Sequence, residues 1–195
     1  IMNPYIKTWN NIIINGSFDN TYKMAWAKAI VELSLAHKAN TTDKPVIFDF
    51  SQIAELFIKY YWNQTIYFDL IQGSNVKKIP EILSATKALI STYFNAKGDC
   101  LPERFEKIDF NAAGLNENYE LCLKKAANTL KQDVCYRFKK VGGEDFAIYE
   151  LDLKNRQVIL TNDQANLLAD HAEILFQIIN YRWTQMLETF NHSPR

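Results

Sequence analysis

Apolar residues recur at helical spacing along most of the chain. Tyr22, Trp26, Ile30 and Leu33, for example, follow one another at intervals of three or four, which predicts a helix with one buried face. Stripes of this kind, preceded by capping residues such as Asn or Asp, predict helices that begin near residues 4, 21, 50, 80, 116 and 163. The last of these is predicted to continue as one helix to about residue 190.

The pattern changes to alternation after residue 131. Residues 134–138 and 146–151 alternate apolar and polar side chains on either side of a Gly-Gly pair, which predicts a hairpin. Residues 157–160 supply a third strand, and residues 45–48 form a short extended segment. The sequence therefore predicts an α+β fold that is predominantly helical, with a small antiparallel three-stranded meander near residues 134–160.

The whole chain, residues 1–195, is expected to form one N-terminal domain, with a helical part over 1–131 and the meander and closing helix over 132–190. The chain starts with Ile1 rather than Met, and it ends at Arg195 directly after an apolar helical stretch. We therefore expect it to be a fragment of a longer protein that continues beyond the C-terminus.

Composition excludes several classes of protein. The 195 residues include 22 Lys and Arg against 22 Asp and Glu, and 48% are hydrophobic, which excludes intrinsic disorder. The longest apolar runs, such as residues 12–14, are far too short to span a bilayer. The three cysteines lack zinc-like or disulfide-framework spacing, and we expect Cys122 and Cys135 to be buried. Without an export signal, a cytoplasmic location is expected.

Sequence motifs for catalysis are missing, so we predict no catalytic residue, no metal ligand and no cofactor in this segment. Asp170, His171 and Glu173 lie too close in sequence to converge on one helix face. One alternative remains open. Asp145, Glu150 and Lys154 could form the centre of a stand-alone metal-dependent nuclease, because carboxylates hold Mg²⁺ in such enzymes.

Residues 59–64, Lys-Tyr-Tyr-Trp-Asn-Gln, combine three consecutive aromatic rings with polar donors. Three successive side chains cannot all face one side of a helix, so at least one ring is expected at the surface or at a second packing seam. Exposed rings beside Lys, Asn and Gln suit nucleic acid. The residues expected to contact DNA here are Lys59, Tyr61, Asn63 and Gln64, whereas Tyr60 and Trp62 are expected in the core.

Three pairs of adjacent lysines could contact phosphates. They are Lys77-Lys78, Lys124-Lys125 and Lys139-Lys140. We predict phosphate contacts for Lys77, Lys78 and also Lys87. The zero net charge argues against an autonomous DNA-binding domain and favours one that works tethered to a more basic partner.

Residues 20–29 (NTYKMAWAKA), residues 48–56 (FDFSQIAEL), Tyr60-Tyr61-Trp62 and Arg182-Trp183-Thr184 together resemble the N-terminal region of bacterial HNH endonucleases of the restriction or mobile-element type. The resemblance implies a DNA-recognition or scaffold domain that binds double-stranded DNA. It also implies that the HNH centre, with any divalent metal, lies beyond Arg195.

A protein interaction or dimerisation module is the alternative from another functional class. Trp183, Met186 and Phe190 keep the final helix apolar to its end. An exposed apolar patch at these residues would suit a homodimer or a docked partner.

Overall fold

A computed structural model describes residues 1–38 and 43–192, in which helices and short strands form an α+β fold. The C-terminal residue Arg195, on which the expectation of a longer protein depends, lies outside this range. The helices are α1 Pro4–Asn15, α2 Tyr22–His37, α3 Phe50–Phe68, α4 Glu81–Lys97, α5 Asn116–Thr129, α6 Asn162–Asp170 and α7 Ala172–Phe190. The strands are β1 Val46–Asp49, β2 Lys140–Val141, β3 Glu144–Asp145, β4 Glu150–Asp152 and β5 Gln157–Leu160.

Local capping chemistry fixes several helix starts. The Asn3 side chain accepts a hydrogen bond from the Tyr5 amide at 2.8 Å, directly before the proline that opens α1. Asp49 and Gln52 form a capping box at the start of α3, in which the Gln52 side chain accepts from the Asp49 amide. These starts agree with the predicted ones because they depend on neighbouring residues only.

Helix α2 lies at the centre of the molecule and packs against α3, α6 and α7. It is therefore buried on more sides than the single face that its periodicity predicts. The side chain of Trp26 is fully buried, and its indole N–H donates to the Tyr149 hydroxyl at 3.1 Å. Tyr149 in turn donates to the Cys135 carbonyl at 2.7 Å, which joins the N-terminal helices to the second half of the chain.

The three-stranded antiparallel sheet has the order β1-β5-β4. Val46 lies opposite Leu160, and Glu150 lies opposite Ile159, so the central strand is the last one in sequence. A three-stranded antiparallel sheet is confirmed, but its composition differs from the predicted meander. The extended segment near residue 46 takes the place that residues 134–138 were expected to fill.

Residues 134–138 are helical and turn-like rather than a strand. A π-helical turn, Leu130–Val134, extends α5, and the buried side chains of this segment are Leu130, Val134, Cys135 and Phe138. Positions four or five apart lie on one face of a helix, so burial on the core selects the helical form. The alternating pattern that predicted a strand is a coincidence of short apolar runs. The hairpin is confined to β2 and β3.

The predicted final helix is divided at His171 into α6 and α7. α6 is capped by Thr161, whose hydroxyl accepts from the Gln164 amide at 3.1 Å. Among the described residues, no helix is long and apolar enough to cross a membrane. Core residues from α1 to α7 belong to one hydrophobic cluster, which spans both predicted parts of the chain.

Candidate anion-binding groove

A groove of about 830 Å³ lies between four parts of the chain. One wall is the first turn of α2 with the residues that precede it, and another is the loop that leads into α4. The end of α5 with its π-helical turn and the β2–β3 hairpin complete the lining. The groove therefore assembles residues from Ser17 to Gly143, which are far apart in sequence, and this is why no local motif marks it.

Positive charge is in excess in this groove. Its cationic side chains are Lys23, Lys78, Lys125, Arg137 and Lys140. Its acidic side chains are Asp19, Glu81 and Asp133. Five cations against three carboxylates leave a local excess of two positive charges in a chain whose net charge is zero. A groove of this composition favours anionic ligands.

Each of the three adjacent lysine pairs contributes one member to the groove. Lys78, Lys125 and Lys140 line it, whereas their sequence neighbours do not. Lys139, for example, points its amine at Asp145, with 2.9 Å between Nζ and the carboxylate. Within the described residues, the three lining lysines form no ion pair. The structure thus brings together positions that the sequence presents as three separate dipeptides.

The loop wall is joined to α2 by backbone hydrogen bonds. The Ser74 amide donates to the Asp19 carbonyl at 2.8 Å, and the Thr21 amide donates to the Gln72 carbonyl at 3.0 Å. Asn20 and Gly73 form an antiparallel bridge between these bonds. This arrangement fixes the loop that carries Lys78 against the helix that carries Lys23.

A buried amide holds the same loop from behind. The Gln72 side-chain oxygen accepts from the Thr21 hydroxyl at 2.8 Å and from the Trp183 indole at 3.1 Å. Its amide nitrogen donates to the Gln64 side chain at 2.6 Å. Tyr61 shares a 2.7 Å hydrogen bond with the Thr21 hydroxyl, so α2, α3 and α7 all take part in one buried network.

The hairpin wall turns at Gly142 and Gly143. Their φ angles are +57° and +83°, and two successive positive values at the tip of a two-residue hairpin suit glycine. In the backbone register of the hairpin, Lys140 of β2 lies opposite Asp145 of β3. Lys140 lines the groove from β2.

Lys23 and Arg137 bring two positive charges to the groove from different walls. Burial lowers the pKa of the half-buried Lys23 amine; Asp19 acts in the opposite direction, and Arg137 lowers the pKa further. Lys23 also donates to the Ser17 carbonyl. Arg137 has Asp133 at 3.8 Å and stacks over the Tyr136 ring at 5.6 Å. An anion between these two cations would relieve their repulsion.

The structure places the predicted cluster at residues 59–64 mostly inside the fold. The prediction that Tyr61 contacts DNA is wrong, because its side chain is fully buried against Tyr22, Phe57 and Trp183. Tyr60 and Trp62 are buried, as expected for core residues. Trp183 of α7 packs on Tyr60 and Tyr61, whereas Trp62 packs on a different side of α3 against Tyr93 of α4 and against Phe105 and Phe110. The three successive aromatics therefore fill two packing seams.

The polar members of that cluster are held by protein partners. Lys59 pairs with Glu32 at 3.0 Å. Asn63 donates to the Glu106 carboxylate at 3.1 Å and accepts from the Phe105 amide at 2.9 Å. Gln64 holds Gln72, as described above. The Lys59 contact joins α3 to α2, and the contacts of Asn63 and Gln64 hold the segments around Phe105 and Gln72 against α3. None of the three residues lines the groove.

The predicted lysines divide between two surfaces. Lys78 lines the groove, and Lys77 is exposed beside it but is not part of its lining. Lys87 pairs with Asp69 at 2.7 Å, which leaves less of its charge available to a ligand. Sequence reasoning missed Lys23 and Arg137, because each is a single basic residue in an ordinary amphipathic segment.

The apolar end of the final helix is not an exposed patch. Trp183, Met186 and Phe190 are buried, which contradicts the expectation that they form a docking surface. They face the core because α7 packs against α1 and α2. A separate cavity of about 420 Å³ lies on the other side of α7, where Tyr181 and Ile14 are exposed.

The carboxylates of the alternative nuclease centre lie in different strands, Asp145 in β3 and Glu150 in β4. Asp145 is paired with Lys139, and Glu150 lies in β4 opposite Ile159. Within the part of the chain that the structure describes, no three His, Cys, Asp or Glu side chains are placed to hold a metal ion. Cys122 is buried as predicted, and burial raises the pKa of its thiol to about 11.

Comparison of the chain with curated proteins and with solved structures finds no match. Residues 4–191 match a family described as "Domain of unknown function (DUF8808)". This span runs from the first residue of α1 to the residue after α7, so it includes every wall of the groove. The chain therefore belongs to the DUF8808 family.

Proposed function

We propose that this domain binds DNA through the phosphate backbone, with the cationic groove as the contact surface. The observation that carries this proposal is the convergence of Lys78, Lys125 and Lys140 on one groove, together with Lys23 and Arg137. Cations that are gathered on one surface from distant parts of a chain are typical of anion-binding surfaces.

The electrostatic contrast between the lysines supports this assignment. Lys38, Lys59, Lys87, Lys97 and Lys139 each pair with a carboxylate of the protein. The three groove lysines do not, so a phosphate can take the place of the counterions around them. Release of those counterions is the main source of affinity for DNA at moderate salt.

Polar side chains in the groove could supply contacts beyond charge. Asn75, Asn128 and Gln132 line it and carry amides that can donate to phosphates or to base edges. A further role as the targeting part of an HNH endonuclease rests on the sequence resemblance alone, and we propose it on that ground. Both roles suit the cytoplasmic location expected from the sequence.

The paired lysines allow a matched test. A double variant Lys78→Gln and Lys125→Gln removes two groove charges, and Lys77→Gln with Lys124→Gln removes the two neighbouring charges outside it. We expect the groove variant to bind a short labelled duplex about tenfold or more weakly, with the slope of log affinity against log salt reduced by about two. Fluorescence anisotropy over a salt series measures both quantities.

The control variant is expected to retain most of the affinity and the original slope. Both doubles carry the same net charge, so a general charge effect would weaken them equally. Equal loss in the two variants, or unchanged binding by the groove variant, would remove the groove as the DNA contact surface.

A further inference from the structure

We infer that the groove receives a strand end, with a terminal phosphomonoester bound between Lys23 and Arg137, an inference that rests on DNA binding by the same groove. The remaining lysines would then contact the next phosphates along the strand. The proposed ligand is therefore a phosphorylated DNA terminus rather than the DNA backbone in general.

The first reason is the arrangement of charge at these two residues. Lys23 lies in the first turn of α2, and Arg137 follows the π-helical turn in another wall of the groove. Asp133 lies 3.8 Å from the Arg137 guanidinium, at the outer limit of an ion pair, and both side chains are more than half exposed. Such a pair is weak, which leaves the guanidinium available to a second anion.

The second reason is the charge that each type of phosphate brings. A terminal phosphomonoester carries about two negative charges at neutral pH, because its second pKa is about 6. An internal phosphodiester carries one. Lys23 and Arg137 line the same groove, so the oxygens of one terminal group can accept hydrogen bonds from both the ammonium and the guanidinium. Its second charge strengthens the attraction to these two cations, which the repulsion from Asp19 and Asp133 in the groove offsets in part.

The third reason is size. The groove volume of about 830 Å³ falls in the range of pockets that enclose small ligands, about 300–1,000 Å³. A pocket of this size holds the terminal nucleotides of one strand, whereas a long stretch of duplex needs an extended surface. The free lysines Lys78, Lys125 and Lys140 then remain for the phosphates that follow.

The test compares three internally labelled duplexes of one sequence, with a 5′-phosphate, with a 3′-phosphate, or with hydroxyl groups at both ends. We expect one phosphorylated form to bind about tenfold more tightly than the hydroxyl form, the effect of one additional charge-assisted contact. Arg137→Gln is expected to reduce this ratio to near one. Lys124→Gln, outside the groove, is expected to retain it.

Lys23→Met provides a second variant. Lys23 contacts the Ser17 carbonyl and Arg137 contacts Asp133, so a structural side effect of one substitution is not expected in the other. Thermal unfolding checks that each variant is folded before its affinities are compared. A preserved tenfold ratio in both Arg137→Gln and Lys23→Met would overturn the assignment of the terminal phosphate to these residues.

Failure of this inference and failure of DNA binding give different results. If all three duplexes bind equally and Lys78→Gln with Lys125→Gln weakens them all, the terminal phosphate site is excluded and the groove remains the DNA surface. If no duplex binds more tightly to the native protein than to that double variant, the DNA-binding proposal is excluded and the terminal site with it.

Discussion

At the scale of single residues, the groove depends on side chains that do not line it. Gln72 is 1% exposed and uses its side-chain oxygen and nitrogen to hold three elements behind the loop. An amide can do this because it combines an acceptor with two lone pairs and a donor in one plane. The residue that fixes the position of Lys78 is therefore six positions before it and inside the core.

Replacing Gln72 with Leu tests this role. The change leaves the Trp183 indole and the Gln64 amide without their partner in a buried site, so we expect a loss of about 3 kcal/mol in the free energy of unfolding. Urea denaturation followed by circular dichroism measures it.

Gln177→Leu, at an exposed position of α7, serves as the control and is expected to change stability by less than about 0.5 kcal/mol. If Gln72→Leu is as stable as this control, the buried network contributes nothing measurable to the fold.

The residue scale also shows which part of the site could be predicted. The lysine pairs predict phosphate contacts from composition alone, and one of the predicted residues, Lys78, lines the groove. In sequence, Tyr61 and Gln64 look equally suitable for contacting DNA, but in the structure each forms a hydrogen bond inside the protein. Residue type does not reveal such partners, since they come from α2 and from the loop after α3. Lys23 and Arg137 could be recognised only after the walls are in contact.

At the scale of elements, local signals account for the helices, and long-range pairing accounts for what the sequence does not predict. Asn3 and Asp49 cap helices through contacts within three residues. The partner of β1, in contrast, is β5, and nothing near residue 46 specifies it. The prediction of a strand after α5 is wrong for a related reason. The apolar positions of this segment fit both the helical and the strand period, and packing against α2 selects the helical one.

The hairpin at the groove offers a test at this scale. Gly143 has φ +83°, a region that an alanine enters at a cost of about 1 kcal/mol. We therefore expect Gly143→Ala to lower the free energy of unfolding by about that amount, and to weaken duplex binding through the displaced Lys140. Chemical denaturation and anisotropy measure the two effects.

Glu144→Ala, the next residue along the hairpin, has no such backbone requirement and is expected to change stability by less than about 0.5 kcal/mol. Equal stability of the two variants would show that the positive φ angles are not needed for this turn.

At the scale of the whole molecule, zero net charge conceals an uneven distribution. Among the described residues, some cations, such as Lys59 and Lys87, are paired with carboxylates, whereas the groove carries five cations against three carboxylates. The tryptophans are also unevenly distributed. All four belong to one hydrophobic cluster, and their side chains are at most 4% exposed.

Tryptophan fluorescence should therefore report on folding but not on ligand binding. We expect iodide to quench the native protein weakly and the urea-unfolded protein strongly, since burial excludes the charged quencher. None of the described residues that line the groove is tryptophan, so duplex binding is expected to leave the emission spectrum unchanged.

Tyr181→Trp supplies the control, because residue 181 is 68% exposed and a tryptophan there is accessible to iodide in the folded state. Strong quenching of the unmodified native protein would contradict the burial of the four indoles.

The central position of the last strand has a consequence for synthesis. Val46 leaves the ribosome long before Leu160, its partner across the sheet, so β1 waits with unpaired backbone groups while more than half of the chain is made. Pairings between such distant residues form slowly, and an unpaired strand edge invites contact with other chains. A nascent chain that stalls before β5 is made is therefore the form of this protein most prone to aggregation. Binding by a chaperone would matter most between the synthesis of β1 and that of β5.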